Sequence, residues 1–185
     1  MRKNEHMAYP KNVRCAYDGI LLRNLTEQDL PAFTDMRNDK RIYRYEPTFL
    51  IELQGTPESA MEAVMNMDLR RDRQIISAIC EAGDPDTLIG LAELYDYKKS
   101  GKVISIGHRL RPEYWGRGIG SRCIHALVDY IKENTEAELI TAHVVPANKA
   151  SAGCVLKNGF EYLITKPEDW GYDEPTIADV YTLDC

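Results

Sequence analysis

Residues 110–121 read Leu110-Arg111-Pro112-Glu113-Tyr114-Trp115-Gly116-Arg117-Gly118-Ile119-Gly120-Ser121. Before them, Val103–Leu110 sets Ile104, Ile106, His108 and Leu110 along one side, the two-residue period of a strand. After them, residues 118–134 set Ile119, Cys123, Leu127 and Tyr130/Ile131 on one stripe, the period of a helix. A strand therefore ends, three glycines follow at alternate positions, and a helix begins. Glycines let backbone N–H groups come close to a ligand, and a helix N-terminus adds partial positive charge. Such a junction suits an anion, and a pyrophosphate is its natural guest. A Walker loop ends in Lys-Ser/Thr, whereas Gly120 is followed by Ser121-Arg122. A dinucleotide loop spaces its third glycine differently and wants an acid after the next strand, about where His143 stands. A glycine turn serving only the backbone has the same spelling, so the loop by itself leaves both readings open.

Working outward, residues 20–25 read as a strand, and Thr26 caps a helix from Glu27 to about Arg37, with Asp29 three positions on as in a capping box. Residues 38–55 are irregular and hold Tyr43, Tyr45, Pro47 and Phe49. Thr56-Pro57 opens a second helix carrying Met61, Val64, Met65 and Leu69 at helical spacing. Residues 74–80 and 87–95 are strands joined through Gly83-Asp84-Pro85-Asp86 as a hairpin. Past the glycine loop come an apolar strand at 139–145, a helix at 148–157 stopped by Asn158-Gly159, and last strands at 160–164 and 177–183. The order is a meander, a strand–helix–strand crossover and a return. It predicts an α/β (α+β) chain with a mixed, largely antiparallel central sheet flanked by helices.

The 185 residues predict one domain over 18–185, preceded by a polar lead-in over 1–17. Cys15, Cys80, Cys123, Cys154 and Cys185 are odd in number and form no CxxC pair, so neither a disulfide framework nor a metal site is expected. A reducing, cytoplasmic setting follows. The start, MRKNEHMAYPKN, lacks the apolar region of a signal peptide, and no apolar run approaches membrane-spanning length. A net charge of −6 argues against nucleic acid as partner and suits a cationic acceptor such as an amine. No membrane partner is expected, and the sequence leaves monomer and homodimer open.

The glycine segment resembles motif A of the GNAT superfamily of N-acetyltransferases, Gln/Arg-x-x-Gly-x-Gly/Ala, with Gly118 and Gly120 at the glycine positions and Trp115 where that family has Gln or Arg. Tyr-Trp-Gly-x-Gly is similar to the RimJ/RimL-type branch, which acetylates protein N-termini and other amines. Asn148-Lys149-Ala150-Ser151 through Lys157-Asn158-Gly159-Phe160 resembles motif B, and Leu22-Arg23 through Asp29 resembles the branch's opening. The likeness spans roughly residues 20–165, its three motifs standing in order.

The resemblance implies the acyl-CoA N-acyltransferase fold, with a splayed pair of parallel strands, acetyl-CoA as cosubstrate, no metal, and a primary amine (small molecule or peptide N-terminus) as acceptor. It implies that the backbone of Gly116, Arg117, Gly118, Ile119, Gly120 and Ser121 cradles the pyrophosphate. His108, Arg109 and Leu110 would run beside the pantetheine arm, with the Leu110 N–H polarising the thioester carbonyl. Asn148 would bond the arm, though a plain N-cap is an equal reading, and Ser151 lies one turn on. The acceptor pocket would draw on Tyr43, Tyr45, Glu46 and the 47–56 loop on one side, and on Trp170 and Tyr172 on the other.

An ammonium must lose its proton before attack; lysine-like amines sit near ~10.4 and peptide α-amines near ~7.7–8.0. Glu93, an acid within an apolar strand, is the first base expected, His108 the second, with His143 and His125 behind them. Many family members place a tyrosine four residues before the motif B glycine as acid; here that position is Val155. Thiolate, with a pKa near ~8.5, leaves without much help, and Ser151 is the substitute. The expected reaction is direct attack in a ternary complex. The alternatives are a non-catalytic acyl-CoA-binding module and a nucleotide- or phosphate-binding regulator using the same loop.

Overall fold

The computed structural model describes residues 9–10, 13–45 and 54–185. Glu46, Pro47, Phe49 and most of the 47–56 loop, expected to help form the acceptor pocket, lie outside the described residues, as does most of the 1–12 segment.

The described strands are β1 (Cys15–Tyr17), β2 (Ile20–Arg23), β3 (Gln74–Glu81), β4 (Gly90–Lys98), β5 (Val103–Leu110), β6 (Leu139–Val144), β7 (Glu161–Glu168) and β8 (Thr176–Asp184). They form one eight-stranded sheet in the order β1-β2-β3-β4-β5-β6-β8-β7. Every pairing is antiparallel except β5 with β6. The helices are α1 (Leu30–Asn38), α2 (Pro57–Met65), α3 (Ile119–Asn134) and α4 (Lys149–Lys157). The mixed sheet and the hairpin at 83–86 are as expected. Cys15–Tyr17, assigned to the lead-in, is instead drawn into the sheet against β2, and the strand expected from residue 87 begins at Gly90; β8 lies between β6 and β7.

Alternation along the strands sorts residues onto two faces. On one, Phe33 and Met36 of α1 and Ala60, Met61 and Val64 of α2 close over Ile76, Ala78 and Leu91. Met65, expected on that stripe, is 42% exposed. On the other, Cys123, Leu127 and Ile131 of α3, all at 0% exposure, seat on Ile104 and Ile140. Truncating such a side chain to Ala costs about 2–5 kcal/mol.

The opening motif has a physical basis. Arg23 donates to Asp29 through its two terminal nitrogens at 2.7 Å, and the Thr26 N–H donates to the same carboxylate at 2.8 Å. The Asp29 side chain is fully buried, so it fixes the entry to α1 from both sides.

The feature that positions the site lies between β5 and β6. They pair only at Val103↔Leu139, Ile104↔Ile140 and Ser105↔Thr141. Beyond that point β5 stays on β4 up to Gly90↔Leu110, and β6 stays on β8 up to Val144↔Asp179. Each strand keeps its outer neighbour while the inner edges part, leaving a slot in the sheet.

Candidate active site

The slot opens towards the glycine loop. Gly116 (φ +74°) and Gly118 (φ +72°) are left-handed, and a Cβ on either would meet open space. No side chain caps α3, and its first bond runs from the Arg122 N–H to the Gly118 carbonyl at 3.2 Å. The N-terminal turn of a sixteen-residue helix thus faces the opening, where peptide dipoles favour negative charge. Trp115, which replaces the polar residue of the motif, donates its indole N–H to the Leu110 carbonyl at 2.8 Å and ties the loop to the end of β5. Arg122 donates to the Asp18 carbonyl at 2.7 Å and anchors the loop to the β1–β2 turn. The Arg117 guanidinium lies over the Tyr114 ring at 5.2 Å. An open, positively polarised cradle of backbone fits a pyrophosphate.

Gly120 has a different reason. A Cβ there would stand 2.4 Å from His108 Nε2 and 3.2 Å from Cys154 Sγ. Its bare backbone lets β5, α3 and α4 converge. Burial pushes the His108 imidazole down to about 4, with Arg109 adding to the effect.

Opposite the loop, Asn148 caps α4, its Oδ1 accepting from the Ser151 N–H at 3.2 Å. Asn158, read from sequence only as a helix stop, joins α4 to α3. Its Nδ2 lies 2.9 Å from the Ser121 carbonyl, 3.1 Å from Ser121 Oγ and 2.8 Å from the Cys154 carbonyl. Its Oδ1 meets His125 Nδ1 at 3.2 Å. The two helices bounding the slot are therefore held at fixed separation.

A cleft of about 370 Å³ runs through the slot, reaching from Gly116 past His108, Leu110, Asn148, Ser151 and Cys154 to Tyr45, Tyr95 and Trp170. Val155, at the position of the family tyrosine, is buried at 2% exposure. The Arg111 N–H donates to the Ile89 carbonyl at 2.9 Å. In an antiparallel pair such residues alternate with ones whose N–H and C=O point the other way. Leu110 consequently turns its N–H towards the slot.

The α1–α2 face carries polar groups where β4, β5 and β6 come together. Glu93 and Arg109 form an ion pair at 2.6 Å with side chains 0% and 6% exposed. The Arg109 guanidinium lies 5.9 Å from the centre of the Tyr43 ring. Thus the Arg109 side chain points to this face, and His108, its neighbour, to the other. Ser105 and Thr141 hydroxyls meet at 2.8 Å across the last β5–β6 pair. Thr141 also lies 3.2 Å from His143 Nε2, and His143 Nδ1 lies 2.8 and 2.9 Å from the two oxygens of Glu168. Trp170 donates its indole N–H to Glu168 at 3.0 Å. The sequence places His143 behind Glu93 and His108 as a base and does not single out Ser105, Thr141 or Glu168. The alternation of Thr141 with His143 was its only local trace, because Glu168 comes from a strand that follows 25 residues later.

This fold, with a slot between parting parallel strands and a glycine cradle at its mouth, defines a class. Residues 20–161 match the family described as "Acetyltransferase (GNAT) domain", and the chain belongs to that family. Solved structures share the fold. RimJ of Mycobacterium smegmatis in complex with CoA-disulfide superposes at a TM-score of 0.76, with 16% identity over 96% of this chain and 87% of that one. RimL, the ribosomal L7/L12 α-N-protein acetyltransferase in complex with coenzyme A, gives 0.75 and 16% over 94% and 98%. The spermidine N-acetyltransferase of Vibrio cholerae in complex with CoA and spermine gives 0.73 and 19% over 90% and 95%. Among the described residues no cluster of metal-binding side chains occurs, and no helix is long and apolar enough to cross a membrane.

Proposed function

We propose that the protein transfers acetyl from acetyl-CoA to a primary amine by direct attack in a ternary complex. The observation that carries this reading is the slot: β5 and β6 part after Ser105↔Thr141, and the Leu110 N–H turns into the gap between them. In this reading the backbone of Gly116, Arg117, Gly118, Ile119, Gly120 and Ser121 receives the pyrophosphate, and His108, Arg109 and Leu110 contribute backbone along the pantetheine arm. Asn148 and Ser151 border the arm from α4. The Leu110 N–H bonds the carbonyl oxygen as it gains negative charge, which lowers the barrier more than it tightens binding of the ground state. With Val155 apolar, the thiolate departs unassisted.

The glycine-loop spelling and the likeness in fold to RimL, described as a ribosomal-protein α-N-acetyltransferase, support a protein or peptide α-amine as acceptor. The spermidine enzyme of the same fold keeps small polyamines in the test. Incubation with acetyl-CoA and a fixed set of amines (a tripeptide with free N-terminus, spermidine, glycinamide, an aminoglycoside), read by mass spectrometry, is expected to yield one acetylated product. Tight CoA binding with no product from any amine would favour a non-catalytic acyl-CoA-binding module. Preference for ATP or NAD over acetyl-CoA in calorimetry would favour a nucleotide-binding regulator.

A further inference from the structure

A histidine and a carboxylate, His143 and Glu168, stand together at the rim of the slot. His143 lies on β6 just past the point where β5 and β6 part. Its side chain is 20% exposed and that of Glu168 12%. Contact of Nδ1 with the carboxylate fixes the proton on Nδ1 and leaves the Nε2 lone pair as acceptor. Nε2 faces Thr141, whose hydroxyl continues to Ser105, so a chain of hydrogen bonds crosses from β7 to β5 at the base of the slot.

Two cavities meet here. His143, with Tyr95 and Trp170, lines both the acyl cleft and an outer cavity bordered by Asp96, Lys98, Lys166 and Asp169. The imidazole therefore borders both the cleft and the polar outer surface, the position a proton carrier needs.

We propose that His143, oriented by Glu168, is the base that takes the proton from the acceptor amine; the role rests on the acetyl-transfer reading above. The ammonium gives one proton to Nε2. The freed nitrogen lone pair forms the bond to the thioester carbonyl carbon, and the C–S electrons leave with sulfur. The nitrogen loses a second proton as the amide forms, the thiolate takes one up, and the imidazolium returns the other to solvent through the outer cavity. The sum is ammonium plus acetyl thioester giving amide, thiol and one proton.

The other sequence candidates are otherwise engaged. The Glu93 carboxylate is committed to Arg109, and the His108 ring is wedged against Gly120 on the opposite face. Glu168 suits the orienting role. Burial would raise its carboxyl, but hydrogen bonds from Trp170, Lys166 and His143 outweigh burial and hold it below the usual range. The groups that face His143 are Tyr95 from β4, whose ring centre lies 6.4 Å away, Thr141 on β6 and Glu168 on β7, with Lys166 bound to that same carboxylate at 3.0 Å.

The test uses the full chain, acetyl-CoA and the same fixed amines, with CoA release and product mass both recorded. His143→Gln is expected to lower kcat about 10²-fold or more while the acetyl-CoA dissociation constant stays within about twofold. His143→Ala is expected to regain turnover with added imidazole. Glu168→Gln is expected to lose about tenfold in kcat and to change the pH profile of kcat/KM, because the carboxylate that orients the imidazole is gone. A merely structural pair would lower the unfolding midpoint and leave the pH profile and imidazole response unchanged, and that result overturns the proposal. Full turnover in His143→Gln overturns it alone. Wild-type protein that binds acetyl-CoA yet acetylates no amine overturns the transfer reading, and this role falls with it.

Discussion

Glu93 and Arg109 form a buried ion pair across β4 and β5, with Arg109 Nη2 2.6 Å from Glu93 Oε1. They are not directly opposite: Glu93 faces Gly107, and Arg109 faces Leu91. The pair therefore runs diagonally, past Gly107, across the two strands.

A pair this dry is costly to break from one side. Glu93→Gln leaves the guanidinium buried without its counter-charge, and a loss of about 3–5 kcal/mol in unfolding free energy is expected. Replacing both partners by leucine is expected to recover most of it. Urea unfolding of the three variants checks this. Wild-type stability in Glu93→Gln, joined to a large loss of turnover, would return the proton-accepting role to Glu93.

The two glycines at the heart of the loop should fail for different reasons. At Gly118 a Cβ has room but the left-handed backbone (φ +72°) disfavours any L side chain by roughly 1–2 kcal/mol, and an aspartate adds negative charge where the pyrophosphate is expected. Gly118→Asp should weaken acetyl-CoA binding at least tenfold, about 1.4 kcal/mol. At Gly120 the obstacle is His108 Nε2, 2.4 Å from the added carbon, so even Gly120→Ala should shift β5 against α3. Calorimetric titration with acetyl-CoA decides both; unaltered affinity in either variant sinks the assignment of the loop.

Asn158 bridges the C-terminal turn of α4 to Ser121 at the start of α3. Asn158→Ala removes these bonds and leaves the Ser121 and Cys154 carbonyls short of a donor. About 1–3 kcal/mol of stability should go, and acetyl-CoA affinity should fall with it, because the helices bounding the slot lose their spacing. Thermal unfolding with and without acetyl-CoA reads the two effects together. Loss of stability with unchanged ligand-induced stabilisation would make Asn158 a fold residue only.

What could be read in the sequence was what is local. The strand ending at Leu110, the three alternate glycines and the helix after them carry their own periodicity and turn chemistry, so the loop was legible to within a residue. The second helix was legible from Thr56-Pro57, and the carboxyl of Asp29 from its spacing to Thr26. Pairing at a distance was not. Nothing near Glu93 announces Arg109, because the contact depends on the register of β4 on β5. Nothing near His143 announces Glu168, because β8 enters the sheet between their strands. Asn158 spelled a helix stop, and its side chain's work on α3 needed the crossover to be seen. Cys15–Tyr17 looked like lead-in because its residues are half-buried to exposed; it is an edge strand held by backbone bonds rather than by an apolar stripe.

His108 makes the fold sensitive to acid. Its imidazole, packed against Gly120, is pushed down to about 4 by burial, against ~6.5 in an unfolded chain. Above the unfolded value the ring is neutral in both states and contributes no pH dependence. As pH falls below it, the unfolded chain takes up a proton that the folded protein refuses, so the unfolded state gains. The loss of stability therefore begins near pH 6.5 and is complete at about pH 4, where the folded form also accepts the proton. The interval corresponds to about 3 kcal/mol from this one group. His108→Asn removes the titrating ring and should flatten that part of the stability curve, leaving the carboxylate-driven loss at lower pH. Urea unfolding at pH 7, 5.5 and 4.5 measures it. Parallel curves for wild type and His108→Asn would mean that the ring reaches water before unfolding, and the slot at this point would be more open than the close approach of His108 to Gly120 implies.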